Sequence, residues 1–327
     1  MAYSAQIMQR ARQQLAQQKA DRESLYNHNL HEAYIKVPRL REIDLHMRKT
    51  VILAAQTAFM KGEEGRQAMA ECEKVNLALQ EERQALVEAS FAPGYLDDSP
   101  ICPHCGGSGY VGSTMCSCLR ELCRQEQKKE LAKLTAGQEQ FENFRLDYYP
   151  TQVDPTYGAS PRQVMERVLQ VCRRYAEGFD GTGANLLFVG NTGLGKTFLS
   201  ACIANRVTDK GYSVAYESAP QLFEKLNRNQ FTPDENSRRE MADINGCDLL
   251  IIDDLGTEFT NSFTVAALYS LLNDRLLAGK SMVLSTNLNS DEIARRYSPQ
   301  IASRLQGNFK NLVFVGSDIR VLKNRGV

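Results

Sequence analysis

The segment Gly190-Asn191-Thr192-Gly193-Leu194-Gly195-Lys196-Thr197 fits the pattern G-x-x-x-x-G-K-[ST], and it constrains the fold more than any other feature of the chain. It follows the apolar run Asn-Leu-Leu-Phe-Val-Gly at 185–190 and precedes a segment that reads as a helix over 197–210. Glycines let the backbone curl, so that successive N–H groups and the helix N-terminus converge on phosphate oxygens. Lys196 then neutralises the β and γ phosphates, and the Thr197 hydroxyl ligates Mg2+. The loop 190–197 with Phe198 is the expected ATP site.

Four further apolar runs follow the same rhythm, at 213–218, 248–254, 281–287 and 311–316, separated by helix-length segments. They predict an α/β fold with a five-stranded parallel sheet covered on both faces by helices. In such a sheet ligands bind at the C-terminal ends of the strands, and the run 248–254 ends there in Asp253 and Asp254. Asp253 is expected to hold Mg2+ through its water shell. Asp254 is expected to orient and deprotonate the attacking water, with the nearby Glu258 as an alternative base. The next run ends in Ser285-Thr286-Asn287, which places an amide at the same edge. Phe223, Lys225, Arg228 and Phe231 mix aromatics with positive charge as a single-strand groove does, although a half-buried amphipathic helix accounts for the same spacing.

Residues 3–90 are rich in Gln, Glu, Ala, Arg and Leu and predict two long antiparallel helices preceded by one or two shorter ones. Leu40, Ile43, Met47, Val51 and Ala54 form one apolar stripe. Cys72, Val75, Leu79 and Leu86 form another after a break at Gly62 to Gly65. Such stripes pack helix on helix or dock a partner's helices. The cluster FAPGYLDDSP at 91–100 closes this region. Cys102-x2-Cys105 and Cys116-x-Cys118 then supply two close thiolate pairs, the ligand set of a structural Zn2+, with Cys123 or His104 able to replace one of them. Cys72, Cys172, Cys202 and Cys247 read as small buried apolar residues, and His28, His31 and His46 have no partner by spacing. The chain therefore divides into a helical region at 1–98, a zinc module with its following helix at 99–135, and the α/β domain at 141–327.

Lys+Arg and Asp+Glu both number 39, so no global positive field draws the molecule onto nucleic acid and any DNA contact must be local. The N-terminus lacks the apolar core of a signal peptide, and no stretch of eighteen apolar residues occurs, which points to a cytoplasmic protein without a membrane partner.

Taken in order, the glycine loop, Asp253-Asp254-Leu255-Gly256, Ser285-Thr286-Asn287, Ser303-Arg304-Leu305 and Ser317-Asp318-Ile319-Arg320 resemble the AAA+ ATPases of the DnaC/DnaI helicase-loader group, which are related to the IstB transposition helpers. The resemblance spans 141–327 and implies an AAA+ P-loop ATPase that binds ATP and Mg2+, weakly active as a monomer. By that likeness Asn287 is the sensor 1 residue, Arg304 an arginine finger entering a neighbouring subunit's ATP, and Arg320 the sensor 2 arginine acting in cis. Self-assembly through this domain follows. Many AAA+ proteins have Glu where Asp254 stands, and little chain follows Arg320 to form the usual helical lid. The implied function is loading of the replicative DNA helicase onto single-stranded DNA, with the N-terminal half gripping the helicase. One alternative is an IstB-like transposition helper that binds duplex DNA and a transposase; another is a non-hydrolysing, ATP-binding adaptor.

Overall fold

The computed structural model describes residues 3–57, 63–134, 139–156, 158–182 and 184–324. They form two compact units, Gln13–Cys116 on one side and Met1–Arg12 with Ser117–Val327 on the other. Where the sequence predicts one or two short helices, a single helix α1 (Ala5–Lys36) forms. No Gly or Pro interrupts its hydrogen-bond ladder. Pro38 opens α2 (Pro38–Thr57), where a missing N–H costs nothing, and α3 (Glu63–Ser90) follows.

Helices α2 and α3 pair antiparallel as expected: Arg39 with Glu82 and Arg83 with Asp44, both at 2.8 Å, and Thr50 Oγ1 donating to Asn76 Oδ1 at 2.9 Å. Leu40, Ile43 and Leu79 are buried between them. Val51, expected in the stripe, is 58% exposed and Thr50 takes the inward place. Seven residues after Ile43, position 50 returns to the same helix face, whereas position 51 turns about 100° away from it. The side chain of Ala54 and the break at Gly62 lie outside the described residues. After α3 comes a two-stranded hairpin of β1 (Tyr110–Val111) and β2 (Thr114–Met115).

The second unit begins with α4 (Ser117–Leu134) and two 3-10 turns, Phe141–Asn143 and Leu146–Tyr148, before α5 (Pro161–Glu177). Ser160 caps α5, accepting from Gln163 N while the Gln163 side chain accepts from Ser160 N. Strands and helices then alternate: β3 (Asn185–Val189), α6 (Lys196–Asp209), β4 (Val214–Ser218), α7 (Ala219–Phe231), α8 (Glu235–Gly246), β5 (Leu249–Leu255), α9 (Ser262–Leu277), β6 (Ser281–Thr286), α10 (Ser290–Arg296), α11 (Pro299–Asn308), β7 (Phe309–Val313) and α12 (Ile319–Asn324). The sheet order is β4-β5-β6-β3-β7, all parallel. Neighbouring residues of a strand enter opposite cores. Leu186 and Phe188 pack with Met165, Leu199 and Ile203, while Leu187 packs with Leu222, Leu268 and Leu284. Burial on both faces is why the strands read as continuous apolar runs.

The last strand is Phe309–Val313 and not the expected 311–316. It lies at the sheet edge, where Lys310 and Asn311 face solvent and mask its start in the sequence. Helix α4, grouped by sequence with the cysteines, packs on α6: the buried Gln127 donates to Thr208 Oγ1 at 2.6 Å and accepts from Val214 N at 3.2 Å. Residues 3–12 belong to the same unit, with Tyr3 OH donating to Gly211 O at 2.8 Å. Among the described residues no helix is long and apolar enough to cross a membrane.

Arg275 is 1% exposed. Its guanidinium donates to the carbonyls of Ile244 (2.8 Å), Asn245 (3.2 Å), Cys247 (3.2 Å) and Ser281 (2.8 Å). The first two carbonyls end α8, where the helix dipole favours a cation. Arg275→Leu leaves these buried acceptors without their donor, at about 1–3 kcal/mol per group. The expected loss in urea unfolding is about 3 kcal/mol or more; a loss under about 1 kcal/mol would mean that other donors replace the guanidinium.

Candidate functional site

Strand β3 delivers the glycine loop to the C-terminal edge of the sheet, between the ends of β6 and β7. The chain leaves β3 toward β4 at the far edge, so the loop sits at the point where strand order reverses, the usual ligand crevice of such sheets. Gly193 adopts φ +74°, and a Cβ there would lie 1.9 Å from Asp318 Oδ1; at Gly190 it would lie 2.5 Å from Phe314 O. The C-terminal segment is thus pressed against the loop. Ile319 N donates to Gly193 O at 2.9 Å, and Tyr149 OH donates to Leu194 O at 2.9 Å.

Lys196, the first residue of α6, is 4% exposed. Its Nζ donates to Gly190 O and Asn191 O at 2.7 Å and to Asn287 Oδ1 at 2.5 Å. Burial holds its pKa below the usual lysine value, against the opposing charges of Asp254 and Asp253. The structure therefore brings Lys196 and Asn287 into direct contact from two adjacent strands.

Strand β5 carries a bulge. Ile252 pairs with Leu284 but Leu255 with Thr286, so one extra residue is inserted at Asp253-Asp254. Asp254 takes φ +55°, a left-handed conformation that Asp tolerates better than most residues. Asp253 is buried; its Oδ2 accepts from Tyr216 OH at 3.1 Å and its Oδ1 from Ser285 Oγ. Burial, and then the neighbouring Asp253, raise the pKa of Asp254 above the ordinary aspartate value. Asp254 lines a cavity of about 470 Å3 together with Lys196, Thr197, Phe198 and Arg320. Phe144 and Tyr148, which also line the cavity, are absent from the sequence reading. Their only signal there is four aromatics within Phe141 to Tyr149.

Glu258 stands apart from this cavity. Its carboxylate accepts from Gly256 N at 2.9 Å and from Tyr297 OH, which fixes the loop after β5. Arg304, on α11, is also outside the cavity and lies over the Tyr269 ring, with Nη2 donating to Tyr269 OH at 2.7 Å. In α7, Phe223 faces the core, Lys225 pairs with Glu217 at 2.5 Å, and Phe231 is exposed, so the four residues do not share one face.

The sulfurs of Cys102, Cys105, Cys116 and Cys118 lie within 4.8 Å of one another, and those of Cys102 and Cys116 are 3.7 Å apart. A tetrahedron with Zn–S near 2.3 Å has sulfurs about 3.8 Å apart, so the set fits a zinc module with a closed coordination shell. The hairpin returns the second pair to the first, with Cys116 N donating to Gly109 O at 2.9 Å and Gly109 N to Cys105 Sγ at 3.3 Å. Cys123 lies outside this set, buried in α4 with its thiol pushed up to about 11, and His104 is exposed. Cys172, Cys202 and Cys247 are buried, as expected, whereas Cys72 on α3 is only partly buried.

A family model described as IstB-like ATP binding protein matches residues 117–300, more than half of the chain's 327 residues. The chain belongs to the IstB-like ATP binding proteins. Its five-stranded parallel sheet and phosphate loop are those of a P-loop ATP-binding domain. This IstB-like chain is 27% identical over 150 residues to the replicative helicase loader DnaC of Escherichia coli (strain K12), covering 45% of this chain and 60% of that protein. It is 24% identical over 184 residues to the replicative helicase loader DnaI of Bacillus subtilis (strain 168), covering 56% of each. The IstB-like chain thus spans about 60% of the length of the DnaC relative it matches. The crystal structure of the DnaC helicase loader aligns with a TM-score of 0.44 at 22% identity, over 54% of this chain and 98% of that one.

Proposed function

We propose that this IstB-like protein loads a replicative DNA helicase onto single-stranded DNA and drives the exchange of contacts by ATP hydrolysis. The observation that carries the reading is that this chain, similar to proteins named replicative helicase loaders, lines one cavity with the phosphate loop, Asp254 and Arg320, while Asn287 contacts Lys196 and Asp253 is buried at the end of β5. Thr197 and Asp253 would hold Mg2+, which supplies neutralisation of phosphate charge when bound. The backbone of 190–197 cradles the phosphates, with Phe198 beside them, and Lys196 exchanges its carbonyl partners for phosphate oxygens. Asp254, whose pKa burial raises, accepts a proton from the attacking water, while the Glu258 carboxylate is already engaged by Gly256 N and Tyr297 OH. Asn287 orients the water or the γ-phosphate, and Arg320 reaches the nucleotide from the same chain. Arg304, bonded to Tyr269 and not lining its own cavity, serves a neighbouring subunit's ATP in a self-assembled state.

The division of labour follows the chain. Residues 1–98, apart from the first twelve, which join the sheet unit, hold the helicase; 99–135 carry a zinc-stapled module whose helix α4 packs on that unit; and 141–327 form the ATPase that contacts single-stranded DNA in the cytoplasm. The family description favours a second reading, a transposition helper acting with a transposase on duplex DNA.

Lys196→Ala is expected to reduce phosphate release to background and to abolish loading of the cognate helicase onto single-stranded DNA circles, with the sheet still folded by circular dichroism. A wild-type chain that ignores the helicase but retains a transposase on duplex DNA belongs to the second reading.

Asp254→Asn keeps the left-handed backbone and is expected to bind ATP while hydrolysing it ~100-fold slower or worse. Because burial raises the folded pKa of Asp254, the ionised base of the wild type is lost as pH falls through a value above the ordinary aspartate range. The acid limb of the kcat profile therefore sits higher than for an exposed aspartate and disappears in the Asn variant.

Metal analysis of protein purified without chelator should find about one zinc per chain. Cys105→Ser should lower that occupancy and expose residues 99–116 to protease, with ATP binding retained. Full zinc occupancy in the variant would contradict the ligand set.

A further inference from the structure

Between the two strands that flank the bulge, the hydroxyl of Ser285 is committed in both directions. It accepts from Asp254 N at 2.9 Å and donates its single proton to Asp253 Oδ1. Ser285 is fully buried in β6, so no solvent competes for that proton. The other carboxylate oxygen, Oδ2, receives the hydroxyl of Tyr216 from β4 at 3.1 Å. Strands on both sides of β5 therefore hold Asp253, one donor on each oxygen, and each oxygen keeps a remaining lone-pair direction for a further ligand. The next residue of β6 closes the far side of the bulge, since Thr286 Oγ1 donates to Leu255 O at 2.6 Å.

We propose that Ser285 and Tyr216 are positioning residues for the Mg2+-holding carboxylate Asp253, and that Ser285 at the same time fixes the turned backbone that aims Asp254 into the cavity. The assignment rests on the reading of Asp253 as the residue that holds Mg2+. One hydroxyl links the two acids: a single chain of donors runs from the Asp254 amide through Ser285 to the Asp253 carboxylate. Rotating Asp253 away breaks its bond from Ser285 Oγ and frees the hydroxyl that also accepts from the Asp254 amide, at the residue with left-handed backbone. Neither side chain lines the cavity, so both act through Asp253 and do not touch nucleotide. Loss of an outer partner of a metal-holding group typically lowers metal affinity ~10–100-fold.

The test uses the full-length chain and a fluorescent ATP analogue, titrated first without divalent cation and then with Mg2+ at fixed nucleotide. In Ser285→Ala and in Tyr216→Phe, nucleotide affinity without Mg2+ stays at the wild-type value, and the half-saturating Mg2+ concentration rises ~10-fold or more. A purely structural role would lower both affinities together. Tyr216→Phe removes only a hydroxyl and decides the matter if Ser285→Ala fails to fold. An unchanged Mg2+ requirement in both variants, with Asp253→Asn raising it, overturns the positioning role and leaves the nucleotide assignment standing. An Asp253→Asn protein with the wild-type Mg2+ requirement overturns both.

Discussion

A buried ammonium at the edge of the sheet organises the ATP-binding unit. Lys196 can be buried as a cation only because two loop carbonyls and the Asn287 amide oxygen accept its protons, and those acceptors come from the ends of β3 and β6. The loop must therefore curl back over its own lysine, and β6 must end beside β3. Parallel pairing of those strands, with Val189 opposite Thr286, supplies that proximity. The positive charge also lies within reach of Asp253 and Asp254, so acids and base share one field at the crevice. Phosphates arriving there meet a lysine whose present partners are neutral carbonyls, weaker acceptors than charged oxygens.

The bulge in β5 gives the edge its asymmetry. A regular strand would send two successive carboxylates to opposite faces of the sheet. Inserting one residue and turning Asp254 to positive φ brings it into the cavity, while Asp253 stays buried between Tyr216 and Ser285. The tripeptide Ser285-Thr286-Asn287 then serves three neighbours in turn: the acids, the Leu255 carbonyl and Lys196. Three polar residues at a strand end, ordinary in the sequence, become one continuous set of contacts.

The two units reach stability by different means. The ATP-binding unit buries two apolar cores, one on each face of its sheet. The segment 99–116 has little apolar content and a hairpin of two-residue strands, too short to stand alone in water. A cluster of four thiols at tetrahedral spacing is the feature able to order it. The helical pair α2–α3 is held by a narrow stripe and by flanking ion pairs, and it leaves Val51, Ile52 and Leu53 exposed.

Local pattern determined much of this protein. The glycine loop, the paired acids at a strand end, the Cys-x2-Cys and Cys-x-Cys spacing and the five apolar runs are all short-range features, and each carries its chemistry within a few residues. From them the α/β class, the parallel sheet and the phosphate site are legible before any coordinates. What sequence missed depends on residues far apart in the chain meeting in space. The start of β7 hides behind Lys310 and Asn311 because an edge strand needs only one buried face. The N-terminal residues and α4 join the ATP-binding unit through Tyr3 and Gln127, polar side chains whose partners lie some 80 to 200 residues away. The wall formed by Phe144 and Tyr148, the engagement of the Glu258 carboxylate by Gly256 and Tyr297, and the grip of Ser285 and Tyr216 on Asp253 belong to the same class. Tertiary structure decided them because a hydrogen bond or a cavity wall is defined by what stands opposite, and the strand order that sets the opposing residue is not written in any single segment.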